Sequence, residues 1–576
     1  MALAALGAGG FLMQAPGAQP SSAVDLQIEL APEKQKHIWD LEHASFVIET
    51  YFGKPFTEAL RVRDRERLLA AFRPEFQGEV LPSSGGVRRE AGLVSELLRS
   101  VAETAPLRSV DAAGFVDQLL GYLTEFVRIE RARLQVMHVE LVERKAGRWT
   151  VEFLLTAGGS GAGESPMEHV SRHRAELRYA DDDEVKRGKA ILTRFRTESV
   201  ATRTATRKLM EEVTEQVGLD KVPLPDNWKL PTRLVRTHRY QFAVEDYDRD
   251  GYPDIAVSAT NGRPLLLHSV GGKSFEDVTE AIGLQAAYDS PKEKMLNALV
   301  GWIDYDNDGF PDLLMGYRLY HNDSGKRFVH VAKPGLHFDR SPFGCVVADF
   351  DGDGRLDLYI VNQKGFRQRP PGKRPWVGDT QAGTENHLWH NEGGGRFRNI
   401  TAEAAAGGGR HQTFAGVPLY LDDDPYPDLY LANDFGANVL LRNRGDGTFE
   451  DVTGGSGTGD FSTSMGVSAG DLDNDGKPEL YVANMYSKMG RRVIANVDQD
   501  DYLPGLYDMI RGSLAGNRLY RLAGDGVEYE EVSETLGVNQ VGWAFAPAMV
   551  DLDADGWLDL YATTGFNSAD RNKPDG

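Results

Sequence analysis

The chain holds a single cysteine, Cys345, among its 576 residues. One thiol cannot form an internal disulfide, and zinc sites built from CxxC pairs are excluded because they need more than one cysteine. Cys345 follows the glycine in PFGCVVADF, a context that predicts a small buried residue in a strand. Stability must therefore come from packed cores, and a hydrophobic content of 41 % is enough to form them.

The sequence also lacks a long apolar run and an excess of basic residues. No stretch reaches the ~20 apolar residues that a transmembrane helix needs. The net charge is −22, from 86 acidic against 64 basic residues, and an acidic surface repels the phosphates of nucleic acids. Residues 1–23 are small and apolar, like the core of a secretory signal, although they lack its positively charged start. We therefore expect export, to the periplasm, the cell surface or the medium, and the alternative is that residues 1–23 are only a flexible leader.

Residues 24–220 predict a smaller α+β domain, followed by a Pro-containing linker at 221–232. Apolar spacing and the capping residue Asp111 predict helices, followed by four strands from about residue 134. The predicted helices are at 38–52, 58–72, 111–126 and 204–217.

The order of helices followed by an antiparallel sheet in this domain resembles the SnoaL-like cone fold. That resemblance implies either a pocket for a small ligand or a structural, dimerising domain, and both remain open. His138, His169 and His173 lie in its predicted strands, where histidines are more often surface or hydrogen-bonded residues than ligands.

From residue 233 to the end, the sequence repeats one pattern. An acidic turn such as DYDNDGFPD is followed by an apolar strand, and then by an element such as LYHNDSGKRFVHV, which reads as two strands around a Gly-rich turn. Each repeat thus has about four short strands, and radial repetition of four-stranded sheets predicts a β-propeller. The six acidic turns are 246–254 (turn 1), 304–312 (turn 2), 349–357 (turn 3), 420–428 (turn 4), 471–479 (turn 5) and 551–559 (turn 6).

Five of the six turns carry acidic residues at positions 1, 3, 5 and 9 and glycine at position 6. Crowded carboxylates repel one another unless a cation lies among them. Calcium suits such a turn because it accepts roughly 6–8 oxygens from carboxylates, carbonyls and water. Glycine permits the positive φ that bends the chain back, and the carbonyl at position 7 offers a further ligand. The predicted calcium ligands are Asp246, Asp248, Asp250, Tyr252 and Asp254; Asp304, Asp306, Asp308, Phe310 and Asp312; Asp349, Asp351, Asp353, Arg355 and Asp357; Asp471, Asp473, Asp475, Lys477 and Glu479; and Asp551, Asp553, Asp555, Trp557 and Asp559.

Turn 4 departs from the pattern, with Tyr420 at position 1 and Pro425 at position 6. It keeps only Asp422, Asp424 and Asp428, and weak or absent metal binding is predicted there. The pattern also matches the first half of an EF-hand loop, which needs a glutamate at position 12. In the other five turns that position is apolar, so the EF-hand is excluded: Val257, Met315, Ile360, Val482 and Ala562. Acidic turns without metal remain the alternative.

The repeats resemble the FG-GAP/VCBS family, and the acidic turns are similar to the calcium hairpins of integrin α-subunit propellers. The stretch STSMGVSAGDLDNDGKPELYVANMYSKMGRRV at Ser462–Val493, with NRLYR and FEDVT, resembles the bacterial ASPIC/UnbV group, which is related to cartilage acidic proteins. This resemblance implies an extracytoplasmic, calcium-binding propeller that usually has seven blades. With six turns in this chain, we expect six to seven blades.

Two insertions interrupt the repeats, at 363–385 and 486–513. Long loops in a compact fold are often binding elements, and their basic and aromatic residues are suited to an anionic glycan or an acidic protein. A loop that covers the propeller opening or forms internal salt bridges is the alternative. The predicted partner-binding residues are Arg367, Arg369, Lys373, Arg374, Trp376, Arg491 and Arg492.

The sequence favours a binding scaffold over an enzyme. A polysaccharide-active lyase or hydrolase at the propeller mouth is the alternative, because a fold alone does not exclude catalysis. The one GxSxG match places Ser468 directly before an acidic turn rather than before a helix, which predicts a strand residue and not a nucleophile. A small-ligand site in the N-terminal domain is the third hypothesis.

Overall fold

The structure is a computed structural model, and its described residues form two compact units. One unit comprises residues 30–211 together with Lys488–Tyr502, and the other, the repeat unit, comprises the described residues of Glu212–Ser487 and Leu503–Gly576. The predicted leader and most of the linker and of the first insertion lie outside the described residues. The structure describes residues 30–82, 84–101, 106–143, 146–222, 224, 240–259, 263–284, 299–316, 318–338, 342–363, 383–502, 505–524 and 526–565.

The N-terminal unit packs helices against a mostly antiparallel sheet in the order β2-β3-β8-β7-β6-β5, with β1 parallel to β8 and β4 beside β1. Alternate residues of β6 and β7 are buried, as expected for strands with one face on a core. The helices are α1 (Pro32–Val47, continued by a π-helical turn at Ile48–Gly53), α2 (Lys54–Arg61), α3 (Arg65–Leu69), α4 (Ala112–Gly121) and α5 (Asp182–Lys186). The strands are β1 (Phe72–Val80), β2 (Val87–Ala91), β3 (Val94–Ser100), β4 (Arg108–Val110), β5 (Arg128–Glu143), β6 (Arg148–Ser160), β7 (Pro166–Arg178) and β8 (Leu192–Ala205), with short 3₁₀ turns at Ala162–Glu164 and Leu219–Lys221.

Two predicted helices of this unit are wrong. The predicted helix 58–72 is divided because Asp64 accepts a hydrogen bond from the Arg67 N–H and starts a new helix, α3, and Phe72 already belongs to β1. The predicted helix 204–217 has no helical residues. Its start lies in β8, where β-branched residues pair with β3 and β7. The cap predicted at Asp111 is confirmed, because its carboxylate accepts from the Gly114 N–H.

The second predicted insertion contributes a helix to the N-terminal unit. Helix α6 (Lys488–Ile494) packs against α1 and β5, and it is followed by a 3₁₀ turn at Gln499–Asp501. Arg492 on this helix forms a two-pronged ion pair with Glu42. Lys34 Nζ in α1 lies 2.7 Å from Asp498 Oδ2, and this ion pair fixes the start of the following 3₁₀ turn. Residues 488–502 are therefore an integral part of the N-terminal unit.

The repeat unit consists of propeller-like repeats. Five antiparallel sheets have four strands each, and a sixth has two strands within the described residues. Each acidic turn joins the first two strands of its sheet. Sheet 1 contains β9 (Tyr240–Glu245), β10 (Asp254–Ala259), β11 (Leu265–Ser269) and β12 (Phe275–Asp277). Sheet 2 contains β13 (Val300–Ile303), β14 (Asp312–Met315), β15 (Arg318–Asn322) and β16 (Phe328–His330). Sheet 3 contains β17 (Pro342–Ala348), β18 (Asp357–Asn362), β19 (His387–Asn391) and β20 (Phe397–Asn399).

Sheets 4 and 5 are joined by pairing of the end of β22 with β25. Sheet 4 contains β21 (Thr413–Leu419), β22 (Asp428–Ala437), β23 (Val439–Asn443) and β24 (Phe449–Asp451), sheet 5 contains β25 (Phe461–Gly470), β26 (Glu479–Asn484), β27 (Arg518–Leu522) and β28 (Tyr529–Glu531), and sheet 6 contains β29 (Ala544–Val550) and β30 (Asp559–Thr564). Short helices are α7 (Thr453–Ser456), α8 (Leu506–Leu514) and α9 (Ser533–Leu536).

The cores of the repeat unit lie between consecutive sheets. In β14, Leu313 packs with residues of sheet 1, and the next residue, Leu314, packs with residues of sheet 3. In β22, Leu431 packs towards sheet 3 and Tyr430 towards sheet 5. The second strands of sheets 1 to 5 are thus buried on both faces, which explains why the residues after their acidic turns are mostly apolar, whereas β30 of sheet 6 is largely exposed. Cys345 lies in β17, as predicted, but it is half-buried and not fully buried. Among the described residues, no helix is long and apolar enough to cross a membrane.

Candidate metal centres

The nine-residue acidic turns are held in shape by their own backbone. In turn 2, the Asp304 carboxylate at position 1 accepts hydrogen bonds from the N–H of Asp308 (3.2 Å) and of Gly309 (3.0 Å). Position 5 in turn accepts from the N–H of position 7, at 2.8 Å between Asp308 and Phe310. Turns 1, 3, 5 and 6 repeat these three bonds. The aspartates at positions 1 and 5 therefore shape the turn before any ion is considered.

Two positions of each of these five turns have positive φ. Glycine at position 6 has φ between 84° and 91°, as predicted, because this region favours a residue without a Cβ. Position 4 also has positive φ, and it is asparagine in turns 2 and 5, a residue that tolerates this region well. In turn 4, Pro425 occupies position 6, and its ring holds φ near −65°. Turn 4 therefore cannot fold in the same way.

In turns 1 to 5 the carboxylate at position 9 is buried where the second strand begins, whereas Asp559 of turn 6 is exposed. Asp312 is 0 % exposed, and its oxygens accept from the N–H of Tyr305 (3.1 Å) and of Asn322 (2.7 Å). Burial raises the pKa of Asp312 well above its usual range, and it raises the pKa of the equivalent Glu479 to about 7. Nearby carboxylates of the same turns raise both values further. Ionising these groups without a cation is therefore costly.

In turns 1 and 2 the carboxylates at positions 1, 3 and 5 converge on one centre. Ligand oxygens of positions 1, 3 and 5 all lie within 4.8 Å of one another in turns 1 and 2. Three buried carboxylate oxygens have no hydrogen-bond partner within the described residues: Asp473 Oδ1, Glu479 Oε1 and Asp553 Oδ1. Burying a carboxylate oxygen that accepts no hydrogen bond costs free energy unless a cation binds it. The carboxylate oxygens at positions 1, 3 and 5 fit a hard divalent cation such as calcium, and in turns 1 to 3 a histidine nitrogen also lies within 4.8 Å of two of the turn's carboxylates.

A third-strand residue also faces each of turns 1 to 5. We name the fourth residue of each third strand the third-strand donor: His268, His321, His390, Arg442 and Arg521. In turn 2, His321 Nδ1 lies 3.1 Å from Asp306 Oδ2 and 3.2 Å from Asp312 Oδ1. The shared repeat position of these residues was visible in the sequence, but their contact with positions 3 and 9 was not.

Asparagines that the sequence did not single out link neighbouring repeats. The Asn391 side chain in sheet 3 donates to the Tyr305 carbonyl of turn 2 (2.8 Å) and to the Leu356 carbonyl of turn 3 (3.1 Å). Asn322 and Asn443 make the corresponding bonds to turns 1 and 3. The fifth residue of the third strand in sheet 5 is Leu522, which has no amide to make this link. The only signal in the sequence is the recurring HN, HN, RN at the end of the third strands.

The predicted partner-binding residues have different outcomes. Arg367, Arg369, Lys373, Arg374 and Trp376 lie outside the described residues. The assignment of Arg492 is wrong, because its side chain is 9 % exposed and is bound to Glu42 and to the Val136 carbonyl. A guanidinium committed in this way is not available to a partner. Arg491, next to it on α6, is half-buried.

Two histidines of β7 form a buried row, whereas His138 in β5 is half-buried. His169 and His173 both bond to the Ser171 hydroxyl through Nε2, at 2.9 and 2.8 Å. Burial lowers the pKa of His169 to about 4 and that of His173 to about 3, so both are neutral in the folded protein.

Ser468 lies in β25, as predicted, and its hydroxyl accepts from the Met549 N–H.

Comparisons with known proteins agree with the repeat pattern. Residues 246–315, 304–360 and 421–482 match the family described as FG-GAP-like repeat. The chain is 27 % identical to cartilage acidic protein 1 of Homo sapiens over 409 residues, which cover 60 % of this chain and 58 % of that one. It is 24 % identical to the Xenopus tropicalis protein of the same name over 402 residues, which cover 59 % of each chain. The chain thus spans about three fifths of the length of the relatives it matches.

Among solved structures, the crystal structure of the V. cholerae biofilm matrix protein Bap1 matches with a TM-score of 0.26 and 14 % identity, over 51 % of this chain and 38 % of that one. A TM-score at this level does not define a shared fold. The sequence comparisons are the informative ones: the chain contains FG-GAP-like repeats and is similar to cartilage acidic protein 1.

Proposed function

We propose that the protein is an exported, calcium-binding β-propeller that acts as a scaffold for a protein or an anionic glycan. The observation that carries this proposal is the convergence of carboxylate oxygens in turns whose shape is already set by their backbone. Calcium would be held in turns 1, 2, 3, 5 and 6, by the acidic residues at positions 1, 3, 5 and 9 and the carbonyl at position 7. Turn 4 lacks the first of these residues and is assigned no ion.

The role of the ion in this proposal is structural. Calcium supplies positive charge that offsets the repulsion among four carboxylates. The chain itself orients the ligands: backbone N–H groups hold position 1, and the third strand holds position 9. Because the unfolded chain does not assemble these groups, the free energy of ion binding adds to the free energy of folding.

The scaffold role rests on the FG-GAP-like repeats and on the two insertions. Of the basic residues assigned to partner binding, those of the first insertion carry the proposal. Arg492 is excluded from this set because it is committed to the N-terminal unit. The acidic remainder of the surface, with a net charge of −22 for the chain, favours a partner that contacts the basic insertion locally.

Calcium titration of the demetallated chain by calorimetry, with thermal melting in parallel, tests the proposal. We expect about five sites, one for each complete turn, and a large rise in Tm with calcium. Asp308→Asn and Asp424→Asn form a matched pair, because both residues occupy position 5 and accept from the N–H of position 7. Asp308→Asn should remove one site and Asp424→Asn none. Absence of heat and an unchanged Tm would refute calcium binding.

A further inference from the structure

The third-strand donors place nitrogens of different charge against otherwise similar turns. In turn 2 the nitrogen belongs to a histidine, His321, at 3.1 Å from the position-3 carboxylate. In turn 5 it belongs to Arg521, whose Nε lies 3.2 Å from the position-3 carboxylate of Asp473 and 3.8 Å from Glu479 at position 9. Turns 1 and 3 have histidines here, whereas turn 4 has Arg442.

The difference in charge bears directly on a cation. A guanidinium is charged at every accessible pH, whereas an imidazole carries a full charge only when protonated. The fixed positive charge of Arg521 offsets part of the negative charge of the turn-5 carboxylates, and it repels a divalent cation that approaches them. In turns 1 and 2, four carboxylates lie together without a permanent cation of the chain beside them, whereas in turn 3 Arg355 forms an ion pair with Asp353 at position 5.

Turn 4 combines the fewest carboxylates with an arginine as its third-strand donor. It has three carboxylates, at positions 3, 5 and 9, and Arg442 forms an ion pair with Asp422 at position 3. The Asp428 carboxylate at position 9 remains buried, and burial raises its pKa to about 6. Turn 4 therefore lacks the aspartate at position 1, and its position-3 carboxylate is already paired with an arginine of the chain.

We propose that the third-strand donor determines how far each acidic turn depends on a metal ion. Arg442 serves as a built-in counter-ion that replaces the ion in turn 4, and Arg521 weakens ion binding in turn 5. The histidines of turns 1 to 3 position the carboxylates at 3 and 9 while leaving their charge to the metal. This inference rests on the proposed calcium function and assigns an order of affinity to its sites, with turns 1 and 2 above turn 5.

Exchange of the donors tests the order of affinity. His321→Arg should weaken one calcium site of the full chain on the order of tenfold, and Arg521→His should strengthen one site by a similar factor. His330→Arg is the control, because it adds the same charge to an exposed position in the last strand of the same sheet. Binding isotherms of His321→Arg and Arg521→His that match wild type, with normal folding by circular dichroism, would overturn the inference.

Turn 4 can be tested without calcium. In excess chelator, Arg442→Met should lower Tm because Asp422 loses its counter-ion. Arg444→Met is the control: Arg444 lies two residues after Arg442, and its substitution removes only an exposed ion pair with Glu450, so it should have little effect on Tm. Equal effects of the two substitutions would overturn the counter-ion role.

The two proposals fail in different ways. If wild type takes up no calcium, the proposed function is refuted and the order of affinity falls with it. If wild type binds about five ions and the donor exchanges change nothing, only the present inference is refuted.

Discussion

Asn391 offers the sharpest test of how neighbouring repeats are held together. Its side chain is 0 % exposed, and it makes three hydrogen bonds to backbone groups: its amide donates to the carbonyls of Tyr305 and Leu356, and its Oδ1 accepts from the Gly393 N–H. Asn391→Ala removes all three bonds and leaves buried backbone groups without partners. Each such bond contributes about 1 kcal/mol, and an unmet buried group costs about 1–3 kcal/mol.

We therefore expect Asn391→Ala to lower the free energy of unfolding of the repeat unit by about 3–4 kcal/mol. For a unit of this size, that corresponds to a fall in Tm of about 5 °C. The assay is differential scanning calorimetry of the full chain, in saturating calcium and again in chelator, because the lost bonds are independent of the ion.

Ser269→Ala is the matched control for Asn391→Ala. Ser269 occupies the same repeat position in sheet 1 and keeps the backbone bond to the position-9 carboxylate, Asp254, but has no amide to link repeats. Its substitution should change stability by less than about 1 kcal/mol. A Tm for Asn391→Ala within 1 °C of that of the control, in both conditions, would refute the view that these asparagines join the repeats.

Two further predictions concern buried charges. Without calcium, burial raises the pKa of Glu479 to about 7, above its value in the unfolded chain, so ionisation of this group destabilises the fold as pH rises from about 4.5 to 7. In chelator, Glu479→Gln should therefore melt above wild type at pH 8 and close to it at pH 4.5, and a lower Tm than wild type at pH 8 would contradict this. In the N-terminal unit, Arg492→Met leaves the Glu42 carboxylate without its cation and should cost about 2–3 kcal/mol in urea unfolding. Adding Glu42→Leu should restore part of the loss, and strictly additive losses would contradict the pairing.

The acidic turns could be predicted from the sequence because their determinants are local. Within nine residues, the aspartates at positions 1 and 5 accept from backbone N–H groups of the same turn, and glycine at position 6 supplies the positive φ. The substitution of Pro425 for that glycine was equally readable. Apolar residues at position 12 separated these turns from EF-hands for the same local reason.

The helix predicted at 204–217 shows where local reasoning failed. Its first residues complete β8, whose conformation is decided by pairing with β3 and β7. Arg492 shows the same limit for function. Its basic character indicated a partner site, but the residue it binds, Glu42, is 450 positions away in the chain.

The sequence by itself therefore determined the repeat, the four-stranded units and the shape of each acidic turn, because these depend on residues close together in the chain. Only the tertiary structure decided which side chains face the turns from elsewhere: the third-strand donors, the asparagines that reach the preceding repeat, and the segment 488–502 that joins the N-terminal unit. Those contacts join residues that are 9 to 450 positions apart in the chain. The packing of the strands and helices decides which of these residues come into contact, and a local sequence pattern does not predict that packing.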